Sequence, residues 1–235
     1  MKRAIVLLSG GMDSAVTLYM ARETHECHAL IFDYGQKAAR EILFAQKIAE
    51  DAGCAYCVLN ISLPWNGSAL LDEAKKVSMH PPAGDGKIPD TYVPARNMLF
   101  LGYGVSYAEA IGAEAVFIGA QQLDFSGYPD CRDDFFSAFQ KVVLLGTKSG
   151  REDAGIRIIT PIINKTKKEI VEEGRRLNVP LEHTWSCYLG GESPCGECES
   201  CRLRINAFRE AGMGAKNEKS KRDKILNTKS EILNK

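Results

Sequence analysis

No apolar run in this 235-residue chain approaches the roughly 18 residues that a membrane span requires, so a spanning helix is excluded. Met1-Lys2-Arg3 begins like a secretory signal, but only five apolar residues follow before Ser9. That is too short for the core of a signal peptide, and a cytoplasmic protein is expected. Net charge is also missing: 30 Lys and Arg balance 30 Asp and Glu. A dedicated nucleic-acid-binding domain is more often strongly basic, so nucleic acid is not an expected partner. Internal repeats and low-complexity tracts are absent as well, which removes solenoids and arrays from consideration.

What is present is an ordinary globular composition, 45% hydrophobic and 26% charged, with enough length for one large domain and a small appendage. Charge is uneven only at the end. Residues 216–235 carry seven Lys or Arg against Glu218, Asp223 and Glu231, giving a tail of +4 and a remainder of −4. Ile225, Leu226, Ile232 and Leu233 lie a heptad apart and could dock that tail on a second subunit, so a homodimer is expected.

Apolar runs at 3–8, 27–32, 55–59, 115–118 and 157–159 predict strands. Amphipathic stretches at 14–22, 38–51, 97–111, 133–145 and 167–177 predict the helices between them. Ala38, Ile42, Ala45 and Ala49 share one helix face. Thr166-Lys167-Lys168-Glu169 has the pattern of a capping box ahead of Ile170, Gly174 and Leu177. The alternation predicts a doubly wound, mostly parallel five-stranded α/β sheet, with its ligand beyond the carboxyl ends of the strands. Residues 60–94 break the rhythm and are expected to form a long excursion near that face. The expected division is 1–183 for the α/β domain, 184–212 for a cysteine-bearing knuckle and helix, and 213–235 for the basic tail.

Cys187, Cys195, Cys198 and Cys201 are spaced C-x7-C-x2-C-x2-C. Four thiolates with Gly190, Gly191 and Gly196 easing the turns suit a closed tetrahedral zinc site, which has no position open for chemistry. The main alternative is an iron–sulfur cluster, since the tight C-x2-C-x2-C run also occurs there. One structural Zn²⁺ per chain is expected. Cys54-Ala55-Tyr56-Cys57 enters a predicted strand rather than a helix start, and is read as buried and inert. His25 and His28 fall on opposite faces of a strand and are read as surface residues.

The most informative segment is Ser9-Gly10-Gly11-Met12-Asp13-Ser14, between the first strand and the first helix. Backbone N–H groups and the positive end of a helix dipole converge at such a place, where a pyrophosphate fits. A Walker loop is excluded because no Lys follows the glycines, and a dinucleotide fingerprint because Gly10 and Gly11 are adjacent. The remaining pattern resembles the pyrophosphate loop of the ATP-pyrophosphatase enzymes. That likeness implies an adenine nucleotide alpha hydrolase-like fold and cleavage of ATP between its α- and β-phosphates.

Further stretches resemble the 7-cyano-7-deazaguanine synthases of the queuosine precursor pathway. They are Asp33-Tyr34-Gly35-Gln36, Tyr92-Val93-Pro94-Ala95-Arg96-Asn97, the run from Asp124 to Arg132, Thr184-Trp185-Ser186-Cys187-Tyr188, and Cys195 to Cys201. Two stretches depart from the family pattern, Gly119-Ala120-Gln121-Gln122 and Ile163-Asn164-Lys165-Thr166. The resemblance implies ATP with Mg²⁺, 7-carboxy-7-deazaguanine and ammonia as reactants. It implies nucleotide binding by Leu8, Ser9, Gly10, Gly11, Met12, Asp13, Ser14, Ala15, Val16, Thr17 and Leu18, with Asp33 meeting the adenosine. Asp13, Arg96, Lys165 and Lys167 are the expected catalytic residues. Asp124, Ser126, Gly127, Asp130 and Arg132 are expected to hold the deazaguanine.

Overall fold

A computed structural model describes residues 1–65, 67–79, 88–122, 127–152 and 155–213. In chain order the elements are β1 (Lys2–Leu7), α1 (Met12–Arg22), β2 (His25–Asp33), α2 (Arg40–Asp51), β3 (Ala55–Asn60), α3 (Arg96–Ile111) and β4 (Ala115–Ile118). They continue with α4 (Asp133–Gly146), α5 (Lys148–Glu152), β5 (Arg157–Ile159), α6 (Lys167–Arg176) and α7 (Glu199–Glu210), with short 3₁₀ turns at Pro129–Cys131 and Leu181–His183.

The strands form one sheet in the order β3-β2-β1-β4-β5, and every pairing is parallel. A sheet buried on both faces needs apolar side chains at every position of its central strands. β1 supplies them: Ala4 and Val6 belong to the core under α1, α2, α6 and α7, while Ile5 and Leu7 face the core under α3 and α4. The chain reverses its winding between β1 and β4, and at such a switch point the loops diverge to leave a crevice.

Local signals are realised where they were strongest. Thr166 Oγ1 accepts from the Glu169 N–H at 3.2 Å, and Glu169 Oε2 accepts from the Thr166 N–H at 2.7 Å, closing the capping box of α6. Ala45 and Ala49 on α2 are fully buried. α7 is an integral part of the molecule, because Ala207 and Ala211 belong to the first core and Phe208 packs against it.

Two expectations are corrected. His25 is buried, because β2 begins at His25 and its alternation turns that ring inward with Cys27. Thr24 Oγ1 and Glu114 Oε1 lie 2.8 and 3.2 Å from its two ring nitrogens, so burial leaves neither unsatisfied. Cys57 is exposed, because β3 is an edge strand whose residues are covered only in part; Cys54 is buried as read. The excursion after β3 is partly built into the second core through Leu63, Leu70, Val77 and Val93. The tail from residue 214 lies outside the described residues. Among the described residues no helix is long and apolar enough to cross a membrane.

Candidate active site

α1 starts at Met12 with Gly11 as its N-cap, and no side chain caps it. The first N–H groups of a helix have no intrahelical acceptor. Here Ala15 is the first to bond back, to the Gly11 carbonyl at 3.0 Å. The amides of Met12, Asp13 and Ser14 are therefore open donors at the positive end of α1. Serine hydroxyls fix the turn around them. Ser14 Oγ donates to the Gly11 carbonyl at 3.0 Å and accepts from the Ser9 N–H at 3.2 Å, and Ser9 Oγ accepts from the Gly11 N–H at 3.3 Å.

Gly10 has φ +80°, and a Cβ there would lie 2.2 Å from the Glu41 carbonyl oxygen. Only glycine lets the turn rest this closely on the first turn of α2. Gly119, after β4, approaches the same turn from the other side, where a Cβ would fall 2.9 Å from the Asp13 carbonyl carbon.

The turn opens into a cavity of about 860 Å³, lined on this side by Ser9, Gly11, Asp13, Ser14 and Lys167. Lys167 Nζ donates to Asp13 Oδ2 at 2.6 Å. Asp13 Oδ1 is buried without a hydrogen-bond partner. The cavity is also lined by Tyr34, Gln36, Glu41, Arg96, Tyr128 and Tyr188. Arg96 opens α3 directly after Ala95, whose φ of +54° is left-handed. Such backbone is uncommon outside glycine and asparagine, and it clusters where a side chain must be aimed. Arg96 Nη1 donates to the Tyr34 hydroxyl at 3.2 Å. Gln36 Nε2 donates to Glu41 Oε1 at 3.0 Å and to the Phe32 carbonyl at 3.1 Å. Burial pushes the Glu41 carboxyl up to about 7, against the Arg96 charge and the Gln36 hydrogen bond, which pull it down.

The other expected residues are placed as follows. Leu8 and Met12 line the cavity beside the turn. Ala15, Val16, Thr17 and Leu18 are fully buried within α1 and carry the turn from behind. Asp33 accepts from the Gly35 N–H at 3.3 Å and is not among the residues lining the cavity. Lys165 is not among them either. Asp130 Oδ2 accepts from the Asn97 N–H at 3.0 Å and its carbonyl accepts from Asn97 Nδ2 at 2.9 Å, which pins the start of α3. Arg132 is exposed at the N-cap of α4, and Gly127 has φ +61°. Asp124 and Ser126 lie outside the described residues. The two stretches that depart from the family pattern meet each other. Gln121 Nε2 donates to the Lys165 carbonyl and Gln122 Nε2 to Asn164 Oδ1. Sequence reasoning missed four charged residues on the cavity wall, Glu41, Glu199, Arg202 and Arg204.

Cys187, Cys195, Cys198 and Cys201 have sulfurs that all lie within 4.8 Å of one another. Hydrogen bonds from the Cys198 and Cys201 thiols hold the Cys187 thiol well below its ordinary value, while the contacts with Cys187 and Cys198 push Cys201 up. Four sulfurs this close cannot all ionise without a cation among them.

A parallel sheet of this order, with an uncapped glycine turn facing a cavity at its switch point, defines an α/β protein of the ATP-pyrophosphatase fold carrying a four-cysteine knuckle. The model of the family "Queuosine biosynthesis protein QueC" matches residues 3–212, and the chain belongs to that family. It is 49% identical over 216 residues to the 7-cyano-7-deazaguanine synthase of Nostoc punctiforme, covering 90% of this chain and 96% of that one. It is 48% identical over 217 residues to the synthase of the same name from Clostridium kluyveri, covering 90% and 95%. Among solved structures it is similar to NMN synthetase from Francisella tularensis, with a TM-score of 0.48 and 17% identity over 97% of this chain and 82% of that one.

Proposed function

We propose that this chain converts 7-carboxy-7-deazaguanine and ammonia into 7-cyano-7-deazaguanine at the expense of two ATP. The observation that carries the reading is the Ser9–Ser14 turn, whose open amides and hydroxyls face the cavity beside Lys167. The names of the relatives agree with it. In the first half-reaction a carboxylate oxygen of the substrate attacks the α-phosphorus and the α–β phosphoanhydride bond breaks. Pyrophosphate leaves with the electron pair and an acyl-adenylate remains. Ammonia displaces AMP and loses a proton, giving the amide. The amide oxygen attacks a second α-phosphorus, and loss of AMP and two protons leaves the nitrile. Adenylation turns a poor leaving oxygen into a good one.

The turn's amides hold negative charge as it moves onto the departing phosphates, which is stabilisation aimed at the transition state. Arg96 lines the cavity beside the Tyr34 hydroxyl and neutralises charge there. The deazaguanine is held by Asp124, Ser126, Gly127, Asp130 and Arg132. Mg²⁺ fits Asp13, whose Oδ1 is a buried carboxylate oxygen without a donor, and hard cations take oxygen ligands. When bound, it would neutralise phosphate charge.

Zinc fits the four cysteines. Thiolates at about 2.3 Å from one ion stand about 3.8 Å apart at tetrahedral corners, within the spread observed; a polynuclear iron cluster holds its thiolates farther apart. We further propose a cytoplasmic homodimer, for which exposed Leu189 on the knuckle and Val142 and Leu145 on α4 supply apolar surface, and the tripartite division at 183 and 212. A tRNA-thiolating reading would need a reactive cysteine in the cavity. Among the described residues the one thiol lining it is Cys131, and burial pushes it up to about 11.

Incubation with ATP, Mg²⁺, ammonium and 7-carboxy-7-deazaguanine should yield the nitrile, AMP and pyrophosphate by mass spectrometry. Release of ADP would refute α–β cleavage.

A further inference from the structure

We propose that Arg204 is a phosphate-binding residue, and that the four-cysteine knuckle serves to bring its guanidinium against the pyrophosphate leaving ATP. The proposal rests on the reading of the Ser9–Ser14 turn given above and adds a group to it that lies on a different part of the chain.

Arg204 sits one turn beyond Cys201 on α7, and lines the same cavity as Ser9, Asp13 and Lys167. A guanidinium has five N–H donors. Nη1 donates to Thr184 Oγ1 at 2.6 Å and to Ser186 Oγ at 3.5 Å, and Nη2 donates to the Leu181 carbonyl at 2.7 Å. All three acceptors are neutral, and among the described residues no carboxylate lies in salt-bridge distance of it. Arg176 and Arg157, at the surface, pair with Glu23, Glu173 and Glu114, whereas Arg204 is enclosed, as is Arg96, the other guanidinium bonded to a neutral group in this cavity. An enclosed cation without an anion is costly, and sites that keep one commonly use it on a ligand. The enclosure is felt by the group itself, because burial pushes its pKa down to about 10.

The location selects the ligand. Thr184 and Ser186, the two hydroxyl tethers, flank Trp185, whose N–H donates to the Gly10 carbonyl at 2.9 Å. The arginine is thereby stitched to the back of the phosphate turn. The Phe208 ring lies 4.8 Å from Cζ, and the three bonds engage three of the five N–H donors, so that among the described residues two, Nε–H and one on Nη2, remain for a ligand. Asp13 and Glu182 are the carboxylates near enough to be felt, and Asp13 is already bonded to Lys167. Arg204, Lys167 and Asp13 sum to one positive charge beside the open amides of α1. A planar fork fits phosphate oxygens two at a time, which a lysine cannot do.

The test is calorimetric titration of zinc-replete full-length protein with inorganic pyrophosphate in Mg²⁺, and separately with adenosine. Arg204→Gln should weaken pyrophosphate about 10-fold to 100-fold, and Arg204→Lys about 10-fold or less. Adenosine affinity should stay within about twofold in both, since the lost bonds go only to phosphate. If the glutamine variant does not fold, the lysine variant decides alone, with its melting temperature checked against wild type. Unchanged pyrophosphate affinity in a folded variant overturns the assignment. So does a parallel loss of pyrophosphate and adenosine affinity, which marks a structural brace. A wild-type protein that ignores pyrophosphate overturns the phosphate turn, and this assignment with it.

Discussion

Gly11→Val should abolish turnover, lowering kcat/KM at least about 10³-fold, while the melting temperature changes little. The two outcomes separate because of where a side chain would go. Gly11 has φ −77° and ψ 162°, ordinary extended backbone that valine adopts readily. Its Cβ would meet only Ser9 Oγ at 3.3 Å and the Trp185 carbonyl at 3.7 Å, contacts a slight shift relieves. The methyls beyond it have no core to enter and must project over the open end of α1. There they would cover the amides and break the Ser9–Gly11 bond that shapes the turn. Gly10 makes the opposite control. Its Cβ would strike the backbone of α2, so Gly10→Val should destabilise the fold itself. Circular dichroism with steady-state kinetics checks both, and a Gly11→Val enzyme at near-normal rates removes the turn from the mechanism.

Stripping the metal should be the second large effect. Elemental analysis should find about one zinc per chain, and iron in its place would overturn the identity of the ion. Chelation should lower the melting temperature by at least about 10 °C, restored by zinc, since a structural zinc is worth about 10 kcal/mol or more to a small module. The knuckle has little else to hold it. Its buried cluster consists of Trp185 and three of the cysteines, with Phe44, Met79, Tyr188 and Cys195 packed around them. The consequence reaches the active site, because Trp185 bonds Gly10 and α7 carries Arg204. Cys201→Ser should reproduce both losses. A chelated protein with an unchanged melting temperature would contradict a structural role.

The α/β scaffold was legible because each of its signals is local. Apolar runs mark buried parallel strands, and β4 and β5 fall on the residues their runs predict. The Ser9–Ser14 turn and the cysteine set were legible for the same reason, since each occupies a short stretch of chain. The rest of the cavity wall was not, because it is assembled from the end of β2, the starts of α2 and α3, and Tyr128 and Cys131. Asp130 illustrates the difficulty: the motif marks the acid, but only the fold shows that its Oδ2 accepts from the Asn97 N–H at the start of α3. Glu41 and Arg204 did leave a trace. Glu41 shares its helix face with Ala38 and Ala45, and Arg204 shares its face with Cys201 and Ala207, at spacings of three and four. A lone charge on an otherwise apolar helix face is the signal for a group that faces a cavity. His25 was misread for want of a boundary, because β2 begins two residues before the apolar run and its alternation turns that ring inward.

The most direct test is a crystal structure with α,β-methylene-ATP, whose α–β linkage cannot be cleaved. The β- and γ-phosphates should lie within hydrogen-bond distance of the Met12, Asp13 and Ser14 amides, with the α-phosphorus toward the Arg96 wall. A triphosphate pointing away from Gly10 and Gly11 would contradict the account at its root.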